Sequence, residues 1–211
     1  MYDMKTKILI LTIMAVLPVI PTAAQQSTSK KATALELSFN YQKQSGSGSN
    51  QYAVWVENSE GKVVRTLFVT QFTTKGRVRG PQGPQGPQST QVTQERRRGY
   101  TYRPTCVPTW VTNAAADTLT DAQIDAISGA TPAASGVQTY SWDFKDSQGK
   151  TVPAGNYKIY LEATLYNNSI LLYSGAFSTN DNAKTVELTS TLTVEDEQHK
   201  DMITQVKAEL K

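Results

Sequence analysis

Residues 125–162, DAISGATPAASGVQTYSWDFKDSQGKTVPAGNYKIYLE, decide the fold that the sequence predicts. A small, hydroxyl-rich loop leads into a run of aromatic and β-branched residues around Trp142. Asp146 and Gly149 then supply the residues of a tight turn, and a second run of strand-forming residues follows up to Leu161. Two such runs joined by a short turn indicate an antiparallel hairpin.

Similar runs lie on both sides of this hairpin. Apolar residues alternate with more polar ones over residues 35–41, which is typical of a strand with one buried face. Residues 51–57 are apolar on both faces, as expected for a central strand. The C-terminal tail fits either a helix or an edge strand, and we favour the strand. Further strands are predicted at residues 62–72, 137–144, 156–166 and 169–179, and unbroken alternation predicts one strand over residues 185–195.

Hairpin spacing without alternating helices predicts an all-β fold, an antiparallel β-sandwich of immunoglobulin-like type. Residues 32–211 are expected to form it as a single domain. We expect Trp55, Trp142 and Phe39 to be buried between its two sheets. Trp142→Ala should therefore be among the most damaging single substitutions.

One long basic loop is expected to interrupt the strands at residues 73–109, with a Gly-Pro-Gln spacer at residues 80–88. Trp110 and Val111 are expected to dock this loop back onto the core. A short helical turn is predicted at residues 117–127, with Asp117 or Thr120 as its cap. These features are insertions between strands and leave the predicted fold class unchanged.

The N-terminus predicts export. Lys5 and Lys7 precede an apolar run at residues 8–20, and small residues follow it, which is the layout of a cleavable secretory signal. We expect a signal peptide at residues 1–24 and a flexible leader at residues 25–31. No cysteine follows the run, so we expect no lipid anchor. The predicted location is periplasmic or secreted, and nucleic acid is not an expected partner.

The charge distribution, the single cysteine and the single histidine limit the kinds of chemical site that the chain could form. Residues 75–103 carry seven basic residues against Glu95, in a chain with a net charge of +3. We expect this segment to be a solvated loop; the alternative is contact with an acidic partner, a phosphate or a membrane surface of the cell envelope. Cys106 is the only cysteine and is expected to be half-buried and unreactive. His199 is the only histidine and is expected to be a solvated surface residue, so neither a metal cluster nor a catalytic triad is predicted. The chain is not expected to be an enzyme.

Several motifs together resemble the DUF2271 family of predicted periplasmic proteins. They are YAVWVEN at residues 52–58, GKVVRTL at residues 61–67, Arg103-Pro104, DAISGAT at residues 125–131, Trp142-Asp143 and VPAGNY at residues 152–157. The resemblance covers most of the mature chain and implies an exported protein, in a family with no assigned function. The Gly-Pro-Gln spacer departs from the family pattern.

The DAISGAT motif also resembles the acceptor motif at which FMN transferases attach flavin, through its phosphate, to a threonine of exported redox proteins. The resemblance implies that Thr131 carries FMN, that Asp125 and Ser128 orient the loop, and that Gly129 permits unusual backbone angles. Arg103 or the arginines at residues 96–98 would balance the phosphate charge. The implied partners are an FMN transferase and a membrane redox protein.

A second interpretation remains open for the same residues. Ser-Gly-Ala-Thr before a strand is also an ordinary turn, and Asp125 can cap it. The protein would then be a structural or adhesion-type binding module without a cofactor.

Overall fold

The structure, a computed structural model, describes residues 30–46, 48–76 and 102–211. The signal peptide, most of the leader, the Gly-Pro-Gln spacer and the arginines at residues 96–98 lie outside these ranges. The described strands are β1 (Leu35–Tyr41), β2 (Gln51–Asn58), β3 (Val63–Thr70), β4 (Ser128–Gly129), β5 (Gly136–Trp142), β6 (Asn156–Tyr166), β7 (Ser169–Ser178), β8 (Lys184–Val186), β9 (Thr189–Leu192) and β10 (Ile203–Leu210). The helices are α1 (Gln71–Lys75), α2 (Pro108–Asn113) and α3 (Asp121–Ile127), with 3-10 turns at Ala116–Thr118 and Lys200–Met202.

The strands form two sheets. One has four strands in the order β5-β1-β10-β8, and the other has six in the order β4-β3-β2-β6-β7-β9. Within each sheet, neighbouring strands are antiparallel, except that β4 pairs with β3 in parallel over two residues. The predicted all-β sandwich is confirmed, and so is the strand at the C-terminus. Among the described residues, no helix is long and apolar enough to cross a membrane.

The core between the sheets follows the alternation seen in the sequence. β1 contributes every second residue, including Phe39, and β6 contributes Ile159 and Leu161 from the opposite sheet. Trp142 is fully buried there, and its indole Nε1 donates to the carbonyl of Lys145 at 2.7 Å. The predicted burial of Phe39 and Trp142 between the sheets is confirmed.

Trp55 is buried, but its predicted place between the sheets is wrong. β2 is the central strand next to β3 and β6, so it is buried on both faces. Trp55 lies on the outer face of the six-stranded sheet, where it stacks on Tyr160 with ring centroids 4.9 Å apart. α2 covers this face through Trp110, so the outer cover comes from the inserted segment rather than from a second sheet.

The inserted segment is therefore structured at its C-terminal end. Residues 108–113, partly within the predicted loop, form α2, and the predicted docking of Trp110 on the core is confirmed. The preceding Val107 has a φ of 47°, which is strained for a β-branched residue. Burial of its side chain and a 3.1 Å hydrogen bond from its N–H to Oγ1 of Thr164 offset that strain.

The strand predicted over residues 185–195 is wrong as one element. β8 pairs with β10 in one sheet, and β9 pairs with β7 in the other, so the chain changes sheets at residues 187–188. Gly175 on β7 makes room for this change, because a Cβ there would lie 2.6 Å from Cδ2 of Leu188 and 2.8 Å from the carbonyl oxygen of Glu187. The alternation did not reflect burial along the whole stretch either, because Val186 is buried whereas all four residues of β9 are exposed.

Smaller differences have local causes. The strand predicted to reach Phe72 ends at Thr70 and is followed by α1. The predicted helical turn is present as α3, and Thr120 caps it through a reciprocal box with Gln123. Cys106 is half-buried as expected, and burial raises the pKa of its thiol.

His199 is not a solvated residue as predicted. Only 5% of it is exposed, because its ring stacks on Tyr166 with centroids 4.6 Å apart and an interplanar angle of 3°. Its Nδ1 also lies 2.9 Å from Oδ2 of Asp196. This contact lowers the pKa of the Asp196 carboxyl. The histidine therefore packs at the end of β6, where Tyr166 is the last residue.

Candidate functional site

The residues of the DAISGAT motif lie where the chain passes from one sheet to the other. β4 is the edge of the six-stranded sheet and β5 is the edge of the four-stranded sheet. We call the connecting residues 130–135 the crossing. At its start, Gly129 pairs with Thr70 of β3. At its end, the backbone N–H of Lys43 donates to Oγ of Ser135 at 2.9 Å and its Nζ donates to the carbonyl of Ala133 at 3.0 Å. The crossing is thus anchored at both ends.

Thr131 lies between these two anchors. It is half-buried, as is Pro132 after it, whereas Ala130 and Ala133 on either side of this pair are exposed. Within the described ranges, no residue forms a hydrogen bond with its hydroxyl group. The oxygen therefore lies on an anchored segment, and none of the described residues competes for it.

Asp125 connects α3 to α1 beside the crossing. Its carboxylate forms an ion pair with Lys75, the last residue of α1. Ile124 is buried on the other side of α3 and holds the helix against the sheet. Because α3 leads directly into β4, this ion pair and this packing determine the direction in which the crossing begins.

Ser128 and Gly129 are tightly enclosed. The Ser128 hydroxyl oxygen is buried and has no hydrogen-bond partner among the described residues. The expected role of Gly129 is wrong, because its φ is not positive. Space is what requires glycine here, since a Cβ would lie 2.5 Å from Cε2 of Phe68. The glycine lets the crossing approach the core closely.

Arg103 is exposed at the same corner of the molecule. Its backbone N–H donates to the carbonyl of Thr73 in α1 at 3.0 Å, and its guanidinium carbon lies 5.8 Å from the centroid of the Phe72 ring. The junction of β3 and α1, residues 70–75, therefore contacts Gly129, Asp125 and Arg103. The structure brings these predicted residues to one corner, and Thr131 follows directly after it.

Two basic residues near the crossing were missed by sequence reasoning. Lys43 follows β1 and is about ninety residues from the crossing in the chain, and Lys75 is fifty residues from Asp125. Neither belongs to a recognisable motif, and only folding brings them to the crossing. Lys43 adds positive charge beside the crossing, and the charge of Lys75 is balanced by Asp125.

Two buried carboxylates lie on the outer face of the six-stranded sheet. Glu162 is fully buried and accepts the backbone N–H groups of Thr109 and Trp110, at 2.9 and 2.8 Å. Burial raises the pKa of Glu162, although these hydrogen bonds act in the opposite direction. Glu57 accepts from Trp55 Nε1 and from the Asn113 amide, both at 2.7 Å. These carboxylates hold the inserted segment on the sheet.

An open cleft of about 420 Å³ lies at the other end of β2, next to Glu57 and the turn at residues 58–61. Burial, followed by the charge of Glu57, raises the pKa of Tyr160 in its wall. The crossing starts from β4, and β4 pairs with β3 at Val69, which lies opposite Ala53. Ala53 is four residues from Glu57 along β2, so the cleft and the crossing are separate.

The comparisons with known proteins give one match. The family model described as "Predicted periplasmic protein (DUF2271)" matches residues 33–196, which include the crossing and every strand except β10. No curated protein and no solved structure matches the chain. The family description agrees with the expected periplasmic location. The chain belongs to the DUF2271 family of predicted periplasmic proteins.

Proposed function

We propose that this periplasmic protein is a non-catalytic carrier of FMN, attached through its phosphate to Oγ1 of Thr131, and that it serves extracytoplasmic electron transfer. The observation that carries the proposal is the position of Thr131 on a segment anchored at both ends, with a hydroxyl that no described residue engages. An acceptor must present such a group to the pocket of another enzyme.

The residues around Thr131 fit a bound phosphate. Lys43 Nζ contacts the carbonyl of Ala133, two residues from Thr131, and Arg103 is exposed at the neighbouring corner. A phosphodiester carries one negative charge, and either cation can reduce the cost of holding it. Asp125 is paired with Lys75, so its own charge is already compensated.

The attachment needs an activated donor, because the threonine hydroxyl can form a bond to the FMN phosphorus only if that phosphorus carries a good leaving group. A flavin dinucleotide such as FAD meets this need. Oγ1 of Thr131 forms a bond to the FMN phosphorus, the pyrophosphate P–O bond breaks, and AMP leaves while the hydroxyl proton passes to a base of the FMN transferase. This chain then supplies the nucleophile and its orientation, and the transferase supplies the catalysis.

When bound, FMN supplies one-electron and two-electron transfer. The proposed partners are the FMN transferase that loads the protein and a membrane redox protein that exchanges electrons with it. Contacts of the basic residues within 75–103 with the cell envelope would bring the protein close to such a membrane partner.

Co-expression with an FMN transferase in a bacterial periplasm tests the attachment. We expect the intact mass of the purified protein to increase by one FMN. Thr131→Ala should remove the added mass, whereas Thr139→Ala, at an exposed position on β5, should keep it. Failure to gain FMN, or a gain that persists in Thr131→Ala, contradicts the proposal and favours a cofactor-free structural or adhesion-type binding module.

The position of Asp125 gives a second test of the same proposal. Asp125→Asn removes the ion pair with Lys75 and leaves the acceptor hydroxyl in place. We expect slower FMN transfer at limiting transferase, with full loading at long times. The variant holds the crossing less firmly in its orientation but does not change the hydroxyl that accepts FMN. Glu60→Gln, in the exposed turn between β2 and β3, is the control and should load at the wild-type rate. An unchanged transfer rate in Asp125→Asn would contradict this positioning role.

A further inference from the structure

The outer face of the six-stranded sheet is covered only in part by the residues that the structure describes. α2 lies over Trp55 and Glu162, and its last residue, Asn113, reaches Glu57. Beyond Glu57, the cleft of about 420 Å³ opens between the turn at residues 58–61 and the start of β6. Small-molecule sites occupy roughly 300–1,000 Å³. The cleft is therefore large enough for a small ligand.

An aromatic ring lies at the edge of this cleft. Tyr160 stacks on Trp55 of β2 through one face, with centroids 4.9 Å apart and an interplanar angle of 7°. On the other side of Tyr160, the neighbouring strand β7 places only small side chains, Ser174 directly opposite and Ala176 two residues further on. Ala176 is exposed and lines the cleft together with Tyr160. The second face of the Tyr160 ring therefore has room for a ring-shaped ligand.

Polar side chains of both charges surround this ring. Asn156 and Lys158 precede Tyr160 on β6 by four and two residues, so they share its face of the sheet. Glu60 lies in the turn that also lines the cleft. All three polar residues are exposed, and within the described ranges their side chains form no hydrogen bond or ion pair. Their donors and acceptors are therefore available to a ligand.

The inserted segment explains why Lys158 is not paired with Glu57, which lies directly opposite it on β2. Trp55 Nε1 and the Asn113 amide both donate to the Glu57 carboxylate at 2.7 Å, and only 3% of Glu57 is exposed. These bonds turn the carboxylate toward α2 and leave the ammonium group of Lys158 to the cleft. Of the described residues that line the cleft, Lys158 and Glu60 carry the exposed charges, and these two charges balance.

We propose that the cleft binds the pyranose ring of a neutral saccharide, stacked on Tyr160. A pyranose ring has an apolar face of C–H groups and a rim of hydroxyl groups that both donate and accept hydrogen bonds. The apolar face fits the second side of the Tyr160 ring, and the rim fits the amide, ammonium and carboxylate groups around it. The balanced charges favour a neutral ligand over an ion of either sign. Because an open cleft contacts only part of its ligand, we expect a dissociation constant in the millimolar range.

Titration of the full mature, isotope-labelled protein with three disaccharides tests this proposal by nuclear magnetic resonance. Maltose, cellobiose and diacetylchitobiose probe α-linked, β-linked and N-acetylated pyranose rings. We expect at least one of them to shift the backbone amide signals of residues 58–61, 156–160 and 176, and to leave those of the crossing unchanged. Glycylglycine, which carries both an ammonium and a carboxylate group, is the comparison ligand.

Substitutions at the cleft separate stacking from general effects on the fold. Tyr160→Leu should weaken saccharide binding about twofold to tenfold, the range for one aromatic contact, whereas Tyr160→Phe should bind like the wild type. Ala176→Leu should fill the cleft and abolish the shifts, since Ala176 is an exposed residue of its lining. Thr139→Leu, at an exposed position on the four-stranded sheet, is the matched control and should keep them.

Three results would overturn the proposal. The first is the absence of shifts at the cleft with all three disaccharides, and the second is an unchanged affinity in Tyr160→Leu. The third is a set of shifts at the cleft with glycylglycine but with no disaccharide, which would assign the cleft to a zwitterionic peptide instead. None of these results bears on the attachment of FMN at Thr131, because the cleft and the crossing are separate.

Discussion

The two faces of the six-stranded sheet are both buried, but different parts of the chain cover them. The inner face packs on the four-stranded sheet through side chains that alternate along β1, β2 and β6. The outer face is covered by α2 and the residues after it, which come from the inserted segment. Trp142 represents the first kind of burial and Trp110 the second. The comparison shows that a pattern of apolar residues predicts which side chains are buried, but not which element of the structure covers them.

The polar groups of the two faces differ as well. The inner core is mostly apolar, and its tyrosine hydroxyl groups have local partners: Tyr52 and Tyr140 pair with each other, and Tyr41 donates to Oδ1 of Asn50. On the outer face, Glu57 and Glu162 are buried among aromatic rings and accept hydrogen bonds from the inserted segment. Removing a side chain should therefore unfold the whole sandwich in the first region, and release one segment in the second.

Trp142→Ala should give the largest effect. The ring is fully buried and contacts Phe144, Tyr157 and Phe177, so we expect a loss of about 3–5 kcal/mol in the free energy of unfolding. Urea denaturation followed by tryptophan fluorescence and far-UV circular dichroism measures it. Val137→Ala, at a position that is 68% exposed, should change stability by less than about 0.5 kcal/mol. A loss below about 1 kcal/mol in Trp142→Ala would contradict the assignment of the inner core.

Trp110→Ala should have a smaller and more local effect. The ring is fully buried and its Nε1 donates to Oγ1 of Thr66 at 3.0 Å, but it belongs to the inserted segment. We expect a loss of about 2–3 kcal/mol, because the segment can detach while the sheets stay paired. Hydrogen exchange should show lost protection over residues 102–127 and retained protection in β1 and β6. Equal loss of protection in all these elements would erase the distinction between the two faces.

Gly129→Ala probes the edge where the crossing meets the inner core. The added methyl group would collide with the Phe68 ring, so either the ring or the crossing must move. We expect a cost of about 1–2 kcal/mol from this overpacking. The matched change Gly155→Ala, where a Cβ would meet open space, should cost less. Thermal unfolding of the two variants compares them directly, and equal melting temperatures would remove the spatial argument for glycine at residue 129.

Glu162→Gln should mainly change how stability depends on pH. The folded-state pKa of Glu162 is raised above its ordinary 4.5, so the folded state binds this proton more tightly than the unfolded state does. The resulting stability is present below pH 4.5 and is lost as the pH rises through the raised value. Wild type should therefore gain stability over the variant as the pH falls through this window, in urea titrations at several pH values. If the difference in stability between wild type and Glu162→Gln does not change with pH, the pKa of Glu162 is not raised in the folded state.

Much of the fold was predictable because strands leave a local signal. The alternation of β1, the two apolar faces of β2 and the turn at Asp146 each arise from a few neighbouring residues. The single strand predicted over residues 185–195 failed because alternation does not show where a chain changes sheets, and the apolar residues of β9 proved to be exposed. The position of His199 failed because its stacking partner, Tyr166, is more than thirty residues away.

The candidate site was predictable in its residues but not in its surroundings. The DAISGAT motif named Asp125, Ser128, Gly129 and Thr131 as candidates. The structure puts the first three at one corner with Arg103, and Thr131 follows two residues after Gly129. Lys43 and Lys75 could not be found, since no motif contains them. The reason for glycine at residue 129 was also hidden, because it depends on the Phe68 ring of another strand.

By itself, the sequence determined the fold class, the central position of β2, the hairpin turns and the segment that carries Thr131, because these follow from side-chain period and local turn chemistry. Tertiary structure alone decided which sheet each strand joins, what covers Trp55, and how the crossing is anchored. Those outcomes depend on contacts between residues far apart in the chain, whose free energies exist only once the two sheets have come together.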